Sequence, residues 1–349
     1  MTAEAVRSRI ERISRSADDA LSLRLGVLSE LARVAPFDGH VWLLTDPETT
    51  VGVAPLAAVP SALLPKLPQV IALKYLTEAH RWTGLDGRAV RLSAGDPSRS
   101  RLWDELLREH GVTDVALTVL RDRYGCWGLL DLWRVGGTFT DAELSFVDSV
   151  TAGATAGLRR CQAATFTEVQ SEAQNGAASG AERPGPVVLV LSPTLDVLGQ
   201  TPETAAYLRL LVPPEEGATP IPASAYNVAA QLLAVEAGVD GHPALARVHL
   251  AHGRWLSLRA ARLGREGQIA VTIEDASPTE RMAIFVRAHG LSAREAELLG
   301  HLMAGLDTRD AAGRMFVSEH TIQDHLKSVF AKTATRNRRA LLARALGRG

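Results

Sequence analysis

The stretch GLSAREAELLGHLMAGLDTRDAAGRMFVSEHTIQDHLKSVFAKTATRNRRALLARAL, residues 290–346, decides the fold of the C-terminal part of the chain. Ser292 and Glu295 form a capping box, in which each side chain satisfies a backbone N–H that the first helical turn leaves without a partner. Ala296, Leu298, Leu299, Leu302 and Met303 follow at helical spacing, and Gly305 ends the helix. Thr308 is expected to cap a short second helix with Ala311, Ala312, Met315 and Phe316 on its apolar side. A tight connection at Phe316-Val317 leads to a third helix capped by Ser318, with Ile322, Leu326 and Val329 or Phe330 turned inward. Asn337 opens a fourth helix carrying Ala340, Leu341, Leu342 and Ala345. Two short helices, a tight turn and a longer third helix make a helix-turn-helix, whose third helix enters the major groove of DNA. From Lys327 onward the charged side chains are Lys327, Lys332, Arg336, Arg338, Arg339, Arg344 and Arg348, with no acid among them. Phosphates attract such a patch, and binding through it weakens with salt. The same pattern also fits an ordinary helical bundle with a solvated basic face.

The motifs L-S-A-R-E (291–295), the Gly305 break, S-E-H-T-I-Q-D-H-L-K (318–327) and N-R-R-A-L (337–341) stand in the order and spacing of the LuxR-type family of bacterial regulators, which this segment resembles. The resemblance implies that Gln323, Asp324 and Lys327 reach bases. It implies phosphate contacts for Thr321, Lys332 and Arg338, and a packing role for His325. The chemistry agrees: Gln pairs with adenine, Asp accepts from cytosine N4 and Lys donates to guanine. Two places depart from the family. Lys332-Thr333-Ala334-Thr335 stands where a K-L-G-V-like turn is usual, and Ala311-Ala312 where an Ile-Ala pair is commoner. The fourth helix often forms the dimer contact in this family, so the altered turn bears on dimer geometry.

Working outward, the 349 residues suggest two or three domains, and 46% hydrophobic residues allow each a core. A formal charge of −1 argues against nucleic acid along the whole length and leaves room for a local basic patch. Two cysteines are too few for a disulfide framework or a four-thiolate zinc site. The start, MTAEAVRSRIERISRSADDA, lacks a secretory signal's apolar core, and no apolar run reaches the ~18 residues of a membrane span. A cytoplasmic protein without a membrane partner is expected.

The segment from Gln170 to Pro186, QSEAQNGAASGAERPGP, has linker composition and divides residues 1–168 from the rest, with the linker set at 169–186. Within 1–168, Val6, Ile10, Ile13, Ala17, Leu21, Leu25, Leu28 and Leu31 predict one helix over 4–33. His40–Asp46 predicts a strand, Val115–Val135 a hairpin around Arg121–Gly125, and Thr140 with Glu143 a capping box opening a helix to about Gln162. The hairpin Asp122-Arg123-Tyr124-Gly125-Cys126-Trp127-Gly128 followed by Phe139-Thr140-x-x-Glu143 resembles a GAF domain. That resemblance implies a small-molecule effector or partner, and dimerisation through terminal helices. Trp82, Trp103, Trp127 and Trp133 either pack the core or line a pocket. Cys126 and Cys161 read as small buried hydrophobes, with a redox pair as the alternative.

In the middle, Pro186–Gly199 predicts two strands joined at Ser192-Pro193-Thr194, and Thr201 is expected to cap a helix. A second helix runs from Tyr226 to Gly238, a hairpin turns at His252-Gly253, and GQIAVTIEDA (267–276) is a last strand. Two strands, helices and three strands resemble a PAS domain, placed at 187–276. His242, His249 and His252 lack ligand-spaced partners and read as loop histidines rather than metal or haem ligands. A nucleotide-binding loop, a nucleophile elbow and an HExxH motif are missing. The expectation is therefore an α+β multidomain protein with GAF-like and PAS-like antiparallel-sheet domains. An all-α LuxR-type module at 277–349 would follow them and bind double-stranded DNA as a homodimer, with no cofactor and no catalysis. The alternative is a non-catalytic interaction protein whose helical end is a docking surface.

Overall fold

A computed structural model describes residues 2–167, 187–211, 222–250, 254–264 and 267–347. The expected linker at 169–186 and the expected turn at His252-Gly253 lie outside the described residues.

The first unit runs α1 (Ala3–Ser16), α2 (Ala20–Leu31), β1 (Gly39–Thr45), β2 (Gly52–Ala58), α3 (Leu67–Leu76), β3 (Val90–Arg91), β4 (Asp114–Asp122), β5 (Gly125–Arg134) and α4 (Asp141–Ala164). Its sheet is antiparallel in the order β2-β1-β5-β4-β3. The single helix expected over 4–33 is in fact two. Asp19 Oδ1 accepts from the N–H groups of Leu21 (2.8 Å) and Ser22 (2.9 Å) and starts α2 afresh. The break changes the phase of the second helix. Leu21 and Leu25, expected inside, are about half exposed; Leu23 and Val27 are buried in their place, together with Leu28 and Leu31 as expected. Where α4 crosses α1, a Cβ on Gly157 would lie 2.6 Å from Ser14 O, so the close approach needs glycine.

Helices α1, α2 and α4 cover one face of this sheet, around Trp42, Leu130 and Leu132. Leu63, Leu73, Leu102 and Leu106 cover the other, around Val115, Leu117 and Trp133. With both faces covered, β4 and β5 are buried almost end to end. Trp82, Trp127 and Trp133 are core residues. Trp82, Trp103 and Trp133 surround a void of about 20 Å³, room for roughly one water. Cys126 and Cys161 are free and buried, and burial pushes both thiols up, away from reactive thiolates.

The second unit contains β6 (Val187–Leu191), β7 (Val197–Gln200), α5 (Thr204–Leu211), α6 (Ala223–Glu236), β8 (Leu245–His249), β9 (Trp255–Leu263) and β10 (Gln268–Asp275). Its order, β7-β6-β10-β9-β8, repeats that of the first sheet. Thr201 does not cap the helix as expected; its Oγ1 accepts from Val188 N–H on β6 (3.3 Å), and the helix begins at Thr204. Helix α6 is buried from Ala223 through Gln231 and packs on α3 and β2 of the first unit as well as on β9. A helix apolar on nearly all sides belongs inside a core, and its run of alanines lets both units approach closely.

Charge also joins the units. Asp46, fully buried, accepts from Arg247 Nε (2.7 Å), Arg247 Nη2 (2.8 Å) and the Arg247 backbone N–H (2.9 Å). Burial alone would lower the Arg247 pKa, but Asp46 and Glu48 outweigh it and raise it. Arg81 Nε donates to Asp240 Oδ2 (2.9 Å), and His242 Nδ1 lies 2.6 Å from Asp240 Oδ1. His242, expected as a loop histidine, thus has a carboxylate partner.

The chain ends in α7 (Pro278–Ala288), α8 (Ala293–Met303), α9 (Thr308–Met315), α10 (Glu319–Thr333) and α11 (Arg338–Leu346). Phe166, just past α4, stacks on Trp255 of the second unit (centroids 5.3 Å apart) and meets Phe285 of α7 edge-on (5.2 Å). Arg281 of α7 lies over the same ring (4.8 Å) and donates to the carbonyls of Ala345 and Arg344 (3.1 Å each) at the end of α11. Those carbonyls carry the negative end of the helix dipole, which favours a cation there. Arg287 Nη1 donates to Tyr124 O (2.9 Å), tying α7 to the β4–β5 turn.

Candidate nucleic-acid interface

Each helix of the C-terminal module starts on a side-chain cap. Ser292 and Glu295 form the expected box on α8, Ser318 Oγ accepts from Thr321 N–H on α10 (3.1 Å), and Asn337 Oδ1 accepts from Ala340 N–H on α11 (2.8 Å). On α9 the cap is Asp307 rather than the expected Thr308, its carboxylate accepting from Asp310 N–H (2.8 Å). Ala311, Ala312 and Met315 bury one side of α9, but Phe316 leaves it. Its φ of 54° is left-handed, and its ring is 94% exposed. The chain must reverse here within the tight turn, and that turn carries the ring outward. Ala334, in the altered turn before α11, also has a left-handed φ of 49°, a conformation that glycine adopts more readily.

Helix α10 has two different sides. Ile322, Leu326 and Val329 are buried against the module core, while Gln323, Asp324 and Lys327 are exposed. Lys327 Nζ lies 3.2 Å from Asp324 Oδ1, and His320 Nε2 lies 3.6 Å from Asp324 Oδ2. His320 was missed in the sequence, although its i, i+4 spacing to Asp324 would have placed it on that face. The result is an exposed row of polar groups in which Asp324 lies between Lys327 and His320.

The other three expected contact residues sit differently. Thr321 is in the first turn of α10, its hydroxyl 2.9 Å from Ser318 Oγ. Arg338 is half-buried at the start of α11 and donates to Leu302 O (3.3 Å). Lys332 Nζ is held by Glu295, at 2.6 and 2.9 Å from its two oxygens, and Ser328 Oγ donates to the same carboxylate (2.6 Å). Burial by itself would push the Glu295 carboxyl up. The bonds from Lys332, Ser328 and Ser292 outweigh that and hold it down at about 2. Arg344, counted with the basic patch in the sequence, is buried and donates to Thr333 O and Ala334 O, so it braces the α10–α11 turn. Lys327, Lys332, Arg336 and Arg339 are exposed from α10 onward, as are Arg309 and Arg314 on α9.

Residues 289–345 match the family of bacterial regulatory proteins described as the luxR family. The C-terminal module is a LuxR-family helix-turn-helix domain. A curated relative, the probable HTH-type transcriptional regulator GfsR of Streptomyces halstedii, is 30% identical over 107 residues, which is 31% of this chain and 44% of that protein. The match therefore spans less than half of the relative's length. Among solved structures, Escherichia coli SdiA aligns over 99% of this chain and 98% of its own, at 13% identity and a TM-score of 0.39. The Vibrio cholerae VqmA dimer, a LuxR-type receptor, aligns over 48% of this chain and 83% of its own, at 19% identity and a TM-score of 0.19. At such scores neither bears on how the units of this chain are arranged. Among the described residues no helix is long and apolar enough to cross a membrane, and no group of three His, Cys, Asp or Glu could hold a metal ion.

Proposed function

We propose that this protein is a sequence-specific regulator of transcription that reads double-stranded DNA with α10, under the control of its two sheet-bearing units, as a cytoplasmic homodimer. The observation that carries this reading is the division of α10. Its apolar side is fixed in the module, and Gln323, Asp324 and Lys327 stand in water where base edges would meet them. The luxR-family match over the same residues supports it. In this reading Thr321, Lys332 and Arg338 adjoin the DNA backbone, with Lys332 exchanging part of its bond to Glu295 for a phosphate. Residues 1–168 act as a GAF-like sensor and 187–276 as a PAS-like one. Their shared sequence of two strands, helices and three strands supports both assignments. A small-molecule effector is the signal, and the paired modules read two half-sites.

The test is selection of the full chain against random duplex DNA at two salt concentrations. An enriched, partly palindromic motif with salt-sensitive binding is expected. Lys327→Ala and Gln323→Ala should each lose about 1–3 kcal/mol with relaxed preference at one base pair. Unchanged recognition in both variants would turn the reading to a partner-docking surface.

A further inference from the structure

We infer that Phe316 is a further specificity-determining residue of the DNA interface, its ring seated against the C5-methyl group of a thymine in each half-site. The ring is 94% exposed, and no other large apolar side chain among the described residues exceeds 54%. It therefore adds almost nothing to the packing of the folded chain. Its backbone is left-handed, at φ 54° and ψ 44°. The Phe316 N–H donates to Ala312 O and Gly313 O, and the Val317 N–H donates to Ala312 O (3.1 Å). Helix α9 thus closes on a left-handed cap, a place that glycine fills with least strain. A bulky side chain is unfavourable in that conformation, and an aromatic ring left in water forgoes burial. Neither feature helps the folded chain by itself, and together they point to an apolar surface outside it.

The position of Phe316 names that surface. It lies two residues before Ser318, the cap of α10. This is the end of a recognition helix whose residues meet base edges when the helix enters the major groove. Ser318, Glu319 and His320 are exposed at the same end, and Gln323 stands one turn further along. Base edges in that groove are polar except for the thymine C5-methyl group, and phenylalanine is among the side chains that meet it. Phe316 stands at the rim of the row formed by Gln323, Asp324 and Lys327, so the thymine flanks the base pairs that those residues read. The inference rests on the reading of α10 as the helix that enters DNA, and its experiment separates the failure of one from the failure of the other.

The full-length parent and a Phe316→Gly variant are selected in parallel against random duplex DNA. The parent's site is then rebuilt with deoxyuridine in place of each thymine in turn, which removes the methyl group alone. Glycine suits the left-handed turn, so the variant should melt no lower than the parent. The parent should select a motif with a thymine at its flank, and the variant the same motif without that preference. One uridine replacement in each half-site should weaken the parent about fourfold, the value of one buried methyl group, and leave the variant unchanged. Equal affinity of the two proteins for the parent's site, with the same response to every uridine, overturns the inference. So does a variant that binds more weakly yet responds to each uridine as the parent does, which would put the ring against the sugar–phosphate strand. A selected site without thymine overturns it as well. In all these outcomes α10 still reads DNA, whereas a parent that enriches no motif would remove that reading and this inference together. Should Phe316→Gly melt early, the same comparison with Phe316→Asn, which a left-handed backbone also tolerates, decides.

Discussion

Strands β5 and β10 hold the same central place in two sheets of the same order, yet β5 is buried along nearly its whole length and β10 alternates between buried and half-buried residues. The first sheet has α1, α2 and α4 on one face and α3 with its flanking turns on the other. The second covers one face with α6 and with Val51 and, on β2, Val53, both from the first unit. Its β7 edge, with Val197 and Leu198, faces water. A shared strand order therefore does not bring equal burial: α6 packs against Leu43, Val119 and Leu129 of the first sheet as well as Ile269 and Val271 of the second, and the first sheet has α1, α2 and α4 in addition.

The strongest way to break this comparison is to cut the charged tie between the units. Arg247→Met leaves Asp46 buried without its cation and should cost about 3–5 kcal/mol in denaturant unfolding. A loss under about 1 kcal/mol would mean that the second sheet does not lean on the first through this pair. Overfilling the shared helix comes next. Ala229→Leu in α6 should cost about 1–3 kcal/mol, because Ala229 is fully buried in a cluster drawn from both units. Acid tests a tie inside the C-terminal module rather than one between the sheets. The Glu295 carboxyl is held at about 2 in the folded chain, below its unfolded value, so its contribution is complete above the unfolded value and is lost as pH falls towards about 2. Glu295→Gln should flatten that part of the melting-temperature profile. An unchanged acid slope would show that the α8–α10 tie contributes nothing. The smallest effect is expected at the open edge of the second sheet. Leu198→Lys should stay within about 0.5 kcal/mol of the parent in the same unfolding experiment.

The C-terminal module was the most legible part of the sequence because its caps are local. Ser292, Ser318 and Asn337 start their helices within a few residues of the groups they bind. The hairpin from Asp114 to Arg134 was legible for the same reason. What escaped depends on distant partners or on a competing local signal. The break before α2 was hidden because apolar spacing continues across Asp18 and Asp19, although Asp19 is itself a cap signal. Strand β2, GVAPLAA, offers small residues and a proline, and finds its place by pairing with β1. Thr201 had a capping residue's identity but was claimed by Val188 across the sheet. At the candidate interface, the buried side of α10 (Ile322, Leu326 and Val329) followed from helical spacing, and its outward residues from the family resemblance. The commitment of Lys332 to Glu295 joins residues far apart in sequence, so no local pattern announced it.

That commitment and the burial of Arg344 change how the basic end of the chain should be counted. A cation released from internal bonds only at a cost does not hold a condensed ion shell on a duplex in check as a free one does. Of the basic residues from Lys327 onward that are described, Arg344 is sealed inside and Lys332 is neutralised by a carboxylate. On a DNA duplex these two would displace fewer counterions than their number suggests. The slope of log affinity against log salt, about 0.9 for each phosphate neutralised, should therefore report fewer contacts per module than a tally of lysines and arginines.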